Sequence, residues 1–204
     1  MSNKSPIHPG KVEWTGENPG IYLKDAQDGP WTGLMCFFRI FYSDYGMGNG
    51  IVVLDQPDVA EGYPAVLNFC ISDNEPLARY LIDEFFSKFA SFRVSPGIKA
   101  VAHLPMIECQ REGSTLSTYS EVVRSADLEV VATWTNLGAA YAVDMPAENG
   151  PTKLHQMYSL FLDAGDGSVT INGRPLAGKV VQRDFAGTRK STAFLAFSES
   201  WMRV

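Results

Sequence analysis

The chain has 204 residues, 45% hydrophobic and 20% charged, enough apolar material for one large core and too few charges for a disordered chain. Its 17 Lys and Arg against 23 Asp and Glu leave a net charge of −6, a sign that repels phosphate backbones and anionic lipid surfaces. Nucleic acid and membrane are therefore excluded as expected partners, and no stripe of Lys and Arg interleaved with aromatic residues speaks against this.

Residues 1–20 carry Pro6, Pro9 and Pro19 with Gly10, Gly16 and Gly20 and little periodicity, so they are expected to form an extended arm on a single domain spanning 1–204. His8 falls in this arm. The N-terminus has no apolar h-region, and no later stretch approaches the roughly 20 apolar residues that span a bilayer. A soluble, cytoplasmic protein is the expectation. Cys36, Cys70 and Cys109 are odd in number, widely spaced and set among apolar residues, which suits free buried thiols in a reducing compartment.

Strand candidates follow at 20–24, 31–42, 50–55 and 64–71. The 31–42 segment is apolar on both faces, with Trp31, Met35, Phe37 and Phe41 on one side and Leu34, Cys36, Phe38 and Ile40 on the other. Neither face can be left to water. From Asn74 to Phe92 the period changes: Leu77, Leu81, Phe85 and Phe89 recur every four residues, which predicts an amphipathic helix over 74–92. Asn74 caps its first amides, Pro76 sits in its first turn, and Ser95-Pro-Gly97 ends it. Further strands are expected at 98–104, 105–111, 116–124, 128–134 and 139–144. From Leu154 the chain reads as a β-meander. Asn172-Gly173 supplies a tight hairpin turn between 168–171 and 174–177, and strands 179–185 and 192–201 are joined by a polar loop, 186–191. The sum is about a dozen strands with one helix packed on them, a mainly β fold closing as an antiparallel barrel.

Candidate site residues are those that break the apolar pattern. Glu199 falls between Phe197 and Trp201 on the alternation that also includes Leu195, and Arg183 shares a face with Val181 and Phe185. If the 179–201 hairpin aligns these faces, the two charges line one interior as an acid–base and orienting pair; a structural ion pair is the plainer alternative. His103 and His155 are the candidate proton-transfer residues, although a lone histidine on a strand is more often a surface or hydrogen-bonded group. Arg39, flanked by Phe37 and Phe41, and Asn68, flanked by Val66 and Cys70, need partners from protein or ligand if buried. Trp31, Trp134, Tyr158 and Trp201 are the aromatic candidates for lining a ligand cavity.

No H-x-H, H-E-x-x-H or H-x-C spacing occurs, so no metal is expected; a metal, if held, would fall to His103, His155 and Glu199. Gly46-Met-Gly-Asn-Gly50 lacks the lysine and helix of a phosphate loop. Without a Rossmann fingerprint or a nucleophile elbow, no cofactor and no covalent catalysis are expected.

Gly29-Pro-Trp31, opening a strand, is similar to the Gly-x-Trp that begins the barrel of lipocalins and the wider calycin group. In that group a C-terminal arginine packs over the tryptophan, a part that Arg183 or Arg203 would take. The chain departs from the pattern in the length preceding the motif and in its mid-chain helix. The resemblance implies a calycin-like cup holding a small hydrophobic or aromatic molecule, and it implies no catalytic residue. The alternative function is a cofactor-independent lyase or isomerase acting on a small natural-product or aromatic substrate in the same cavity. A third is an interaction protein whose sheet edge forms a homodimer.

Overall fold

Strands carry most of the chain, and their alternation determines which face each one buries. The computed structural model describes Ile7 and residues 9–204; His8 and the first residues of the expected arm lie outside them. The first strand, β1 (Lys11–Glu17), is followed by β2 (Gly20–Lys24), β3 (Trp31–Ser43), β4 (Gly48–Leu54) and β5 (Asn68–Ser72). After the helical segment come β6 (Ala102–Pro105), β7 (Glu108–Gly113), β8 (Tyr119–Arg124), β9 (Glu129–Leu137) and β10 (Tyr141–Met145). The last are β11 (His155–Ile171), β12 (Arg174–Pro175), β13 (Gln182–Phe185), β14 (Thr188–Ser191) and β15 (Ala193–Arg203).

Thirteen strands form one sheet whose backbone order is β6-β5-β4-β3-β1-β15-β11-β9-β8-β7, and β13 pairs only with β14. The β5–β6 pairing is parallel, so the sheet is mixed. It curls without closing into a barrel: β6 and β7 end it, and no ladder joins them among the described residues. The curl is nonetheless tight. Between those two edges the chain needs only Met106 and Ile107, whose amides donate to Ser72 on one side of the gap and Arg124 on the other.

The curl divides the apolar side chains into two cores. Met35, Phe37, Ile51, Phe69, Val123, Val130, Trp134 and Leu195 fill its inside. Leu34, Cys36, Phe38, Val52, Trp14 and Trp201 face outward, beneath Leu77, Leu81, Phe85, Phe86 and Phe92 of the helical segment. The two apolar faces of β3 are thus accounted for, except that Phe41 is exposed and Trp31 packs on the helix side. A Leu buried in either core is worth about 2–3 kcal/mol.

The helical segment is broken. Asn74 caps α1 (Glu75–Glu84) by accepting from the Leu77 amide, as its sequence demands, but Phe85 leaves the helical region. A 3₁₀ turn at Phe86–Lys88 and a second helix, α2 (Ala90–Arg93), complete the run to Phe92. Aromatic residues are mediocre helix formers, and the break seats Phe85 edge-on to Trp14 and Trp201 while Phe86 packs on Phe38.

Other expectations are corrected too. Residues 11–17 are not an arm but β1, paired to β15 on one side and β3 on the other. Register shifts after Val12 and Thr15 break its alternation and hide it from a period-2 reading. Gly16 permits the close approach, since a Cβ there would lie 2.1 Å from the Arg39 carbonyl oxygen. The expected strand at 98–104 begins only at Ala102, because Pro96–Ala100 forms a 3₁₀ helix. The expected strand at 64–71 begins only at Asn68. The hairpin at Asn172-Gly173 forms with both residues at positive φ, 49° and 77°. A second tight turn at Ala186-Gly187, φ 49° and 76°, replaces the expected polar loop and folds β14 back onto β13. β15 therefore pairs with β1, β2 and β11, and never with β13.

One irregularity decides where the site lies. On β15, Phe197 pairs with Leu160 and Ser200 with Tyr158, so Ser198 and Glu199 together oppose Ser159. This β-bulge holds Ser198 at φ 51°. Before it, Phe194 and Ala196 face the helix side and Leu195 faces the inside. After it the alternation is offset by one, so Trp201 returns to the helix side. Glu199 goes with it, sharing a face with Ala196 and Trp201 rather than with Leu195 and Phe197. Bulges re-aim side chains in this way.

A non-glycine residue in the left-handed region costs about 1–2 kcal/mol, more if β-branched. Ser198→Gly is expected to keep the fold with stability equal to or above the parent, and Ser198→Val to lose roughly 1–2 kcal/mol, both read from urea unfolding midpoints. Equal midpoints for all three proteins would contradict the bulge.

Candidate functional site

Buried side chains of the second core pack inside the curl, and a cavity lies on its helix side. It encloses about 400 Å³ between the outer sheet face, the 88–93 segment, the 145–153 loop and the tip of the β13–β14 hairpin, within the range of small-molecule sites. Tyr22, Trp31, Phe89, Phe161, Phe185, Phe194 and Trp201 form its apolar walls.

Two charged groups break those walls. Glu199, 3% exposed, lies in the floor. Its Oε1 accepts from Trp201 Nε1 at 2.6 Å and from Asn18 Nδ2 at 3.2 Å. The Asn18 side-chain Oδ1 accepts in turn from Cys36 Sγ at 2.7 Å. No cation pairs with the carboxylate among the described residues. Burial pushes its pKa from 4.5 up to about 7, against the opposing pull of hydrogen bonds from Trp201, Asn18 and Ser159.

Arg183 is the second. Its guanidinium lies 4.4 Å from the Phe194 ring centre, 4.8 Å from Phe185 and 5.5 Å from Tyr22, so aromatic faces supply its electrostatic support. Its Nε is buried without a hydrogen-bond partner, and no carboxylate bridges it among the described residues. Burial lowers its pKa, while Tyr22, Tyr141 and, through space, the Asp163 carboxylate raise it in part. The tight Ala186-Gly187 turn is what positions it, because the turn folds the β13–β14 hairpin over the cavity beside β2 and β15. Lys88, Arg93 and Lys153 add three cations to the lining, against Asp184.

The structure thus brings Glu199, Arg183, Trp31 and Trp201 to one cavity, although Arg183 and Glu199 arrive on strands that do not pair. The other candidates lie elsewhere. His155, 2% exposed, packs behind Trp201 and against Phe85, sharing a 2.9 Å hydrogen bond with Thr152 Oγ1. Burial first, then Arg203, lowers its pKa. His103 lies on β6 near Arg79, with its pKa lowered by burial and then by that arginine. Arg39 is a cross-strand tie: it reaches Glu17 at 2.6 Å and Glu121 through both terminal nitrogens at 3.0 and 2.9 Å. Arg111 bridges the same two carboxylates, and Tyr119 Oη donates to Glu121 at 2.6 Å. Asn68 pins the 56–61 loop through the Gln56, Val59 and Glu61 carbonyls. Trp134 is buried inside the curl and donates to the Gly20 carbonyl at 3.0 Å. Tyr158, 44% exposed, alternates away from Met157 and Phe161 and so points off the cavity. Among the described residues, no group of three or more His, Cys, Asp and Glu is arranged to hold a metal ion, and His103, His155 and Glu199 do not meet.

Sequence reasoning passed over Asn18, Tyr22, Phe89, Phe185 and Phe194. The one available signal was at Phe185, which alternates onto the face of Arg183. No helix among the described residues is long and apolar enough to cross a membrane. No family model matches the chain, and no curated protein or solved structure is detectably similar to it.

The pH dependence of stability follows from Glu199. A folded pKa above the unfolded value gives stability that is full below pH 4.5 and is lost as pH rises through about 7. Removing the ionisable group removes that loss. The stability of Glu199→Gln relative to the parent, from urea unfolding, should rise by roughly 2–3 kcal/mol between pH 5 and pH 8 at about 1.4 kcal/mol per pKa unit. A difference that stays flat with pH would contradict the burial of this carboxyl in an apolar floor.

Proposed function

We propose that this protein binds a small molecule with an aromatic or otherwise apolar body and an anionic head group, in the cavity on the helix side of its sheet. The observation that carries this reading is Arg183, a guanidinium in the cavity wall that stacks on aromatic rings and has no carboxylate of its own. Its Nε is buried without a partner, which is costly, and a ligand carboxylate would accept two parallel charge-assisted hydrogen bonds from the planar guanidinium. Lys88, Arg93 and Lys153 bias the field of the cavity in the same sense despite the acidic chain, which favours entry of an anion. The aromatic walls match a ring by stacking and edge contacts. This reading keeps the small-molecule role that the calycin resemblance implies and moves the ligand from the inside of the curl to its helix side.

Paired probes differing only in charge test it. Phenylacetate should bind more tightly than phenylacetamide, measured by titration calorimetry at fixed salt. Arg183→Gln should cost the acid tenfold or more, about 1.4 kcal/mol, and leave the amide within twofold. Equal binding of acid and amide by the parent protein would overturn the anionic head group.

A further inference from the structure

We propose that Glu199 is a catalytic proton-transfer residue and that the cavity performs a cofactor-independent keto–enol isomerisation of aromatic 2-oxo acids. The proposal rests on the anion-binding reading above and gives it a substrate class and a reaction.

Three arrangements support it. The bulge at Ser198 and Glu199 spends a left-handed serine on turning a carboxylate into an apolar cavity, and strained backbone of this kind clusters at functional sites. Trp201 and Asn18 both donate to the same oxygen, Oε1. That fixes the carboxylate plane and leaves Oε2 free of both donors. Finally, no cation pairs with the group among the described residues, although the same cavity holds an arginine with no ion pair among them. Every other buried carboxylate among the described residues is tied to arginine, Glu13 to Arg203, and Glu17 and Glu121 to Arg39 and Arg111. A carboxyl held dry, oriented and free of an ion pair is suited to taking and returning a proton near neutrality.

The chemistry balances without a co-reactant. Glu199 removes a proton from the carbon next to the substrate carbonyl. The C–H electron pair forms the carbon–carbon double bond, and the carbonyl π pair becomes an enolate oxygen. In a 2-oxo acid that oxygen is adjacent to the carboxylate, so the guanidinium of Arg183 spans both and stabilises the developing charge. The protonated Glu199 then delivers the same proton to the enolate oxygen, and the enol leaves with all atoms conserved. The ring of the substrate lies against the aromatic walls.

Phenylpyruvate is the probe. Its affinity is read by titration calorimetry, and proton exchange at its methylene carbon is followed in deuterated buffer by proton NMR. The parent protein should bind it and accelerate exchange at least a hundredfold over buffer. Glu199→Gln should lose that acceleration while its Kd stays within threefold, and Glu199→Asp, which keeps the carboxylate but withdraws it by one methylene, should retain a tenth or less. Should Glu199→Gln fail to fold by far-UV dichroism, the Asp variant decides by the same criteria. Binding without acceleration by the parent protein, or acceleration that survives in both variants, overturns the proton-transfer role and leaves the binding reading intact. Absence of binding at millimolar phenylpyruvate overturns both.

Discussion

The arrangement of this protein depends on one extra residue in β15. That strand runs near the middle of the sheet, between β1 and β11, so any change in its alternation reaches both cores. Up to Phe197 it serves the packed inside of the curl with Leu195 and the helix side with Phe194 and Ala196. An uninterrupted strand would carry that alternation on and drive Glu199 and Trp201 into the packed inside. The bulge at Ser198 offsets it. Trp201 then stacks with Trp14 and Phe89 and meets Phe85 edge-on, and Glu199 comes to rest on the floor of the cavity, its carboxylate accepting from the Trp201 indole N–H.

The charged groups on the two faces of the sheet divide into two kinds, and the division separates scaffold from candidate site. On the inner face of the curl, Arg39, Glu17, Glu121 and Tyr119, with the exposed Arg111, form a network that ties β1 and β3 to β7 and β8. Each member is paired with another of the network. On the helix side, Arg183 and Glu199 have no ion pair among the described residues, one supported by rings and the other by neutral donors. Perturbed groups converging on a concave, ring-lined space are the usual physical mark of a binding or catalytic site.

What the sequence revealed was local. Asn172-Gly173 encodes its turn because both residues tolerate positive φ, and Asn74 encodes a helix start because its side chain is the acceptor the first amides lack. The double-faced hydrophobicity of β3 required two cores, and two cores exist. Arg183 and Glu199 stood out because a charge among alternating apolar residues needs an explanation. The rest turned on long-range facts. β1 was hidden by its register shifts, the break at Phe85 by a helical period that runs straight through it, and the turn at Ala186-Gly187 by an alanine in a position where asparagine is the recognisable signal. The bulge itself has no sequence mark, since a serine at positive φ looks like any other serine. It reversed which residues share a face with Glu199, and only the pairing with β11 exposes it.

The most direct test is the titration of the Glu199 carboxyl carbon by ¹³C NMR in uniformly labelled protein, with the resonance assigned by its disappearance in Glu199→Gln. A bulge that buries this group in the apolar floor predicts a midpoint near the value of about 7 set by its desolvation. A midpoint near 4.5, the ordinary value for an exposed glutamate, would show the carboxyl open to water and would contradict the account from the bulge onward.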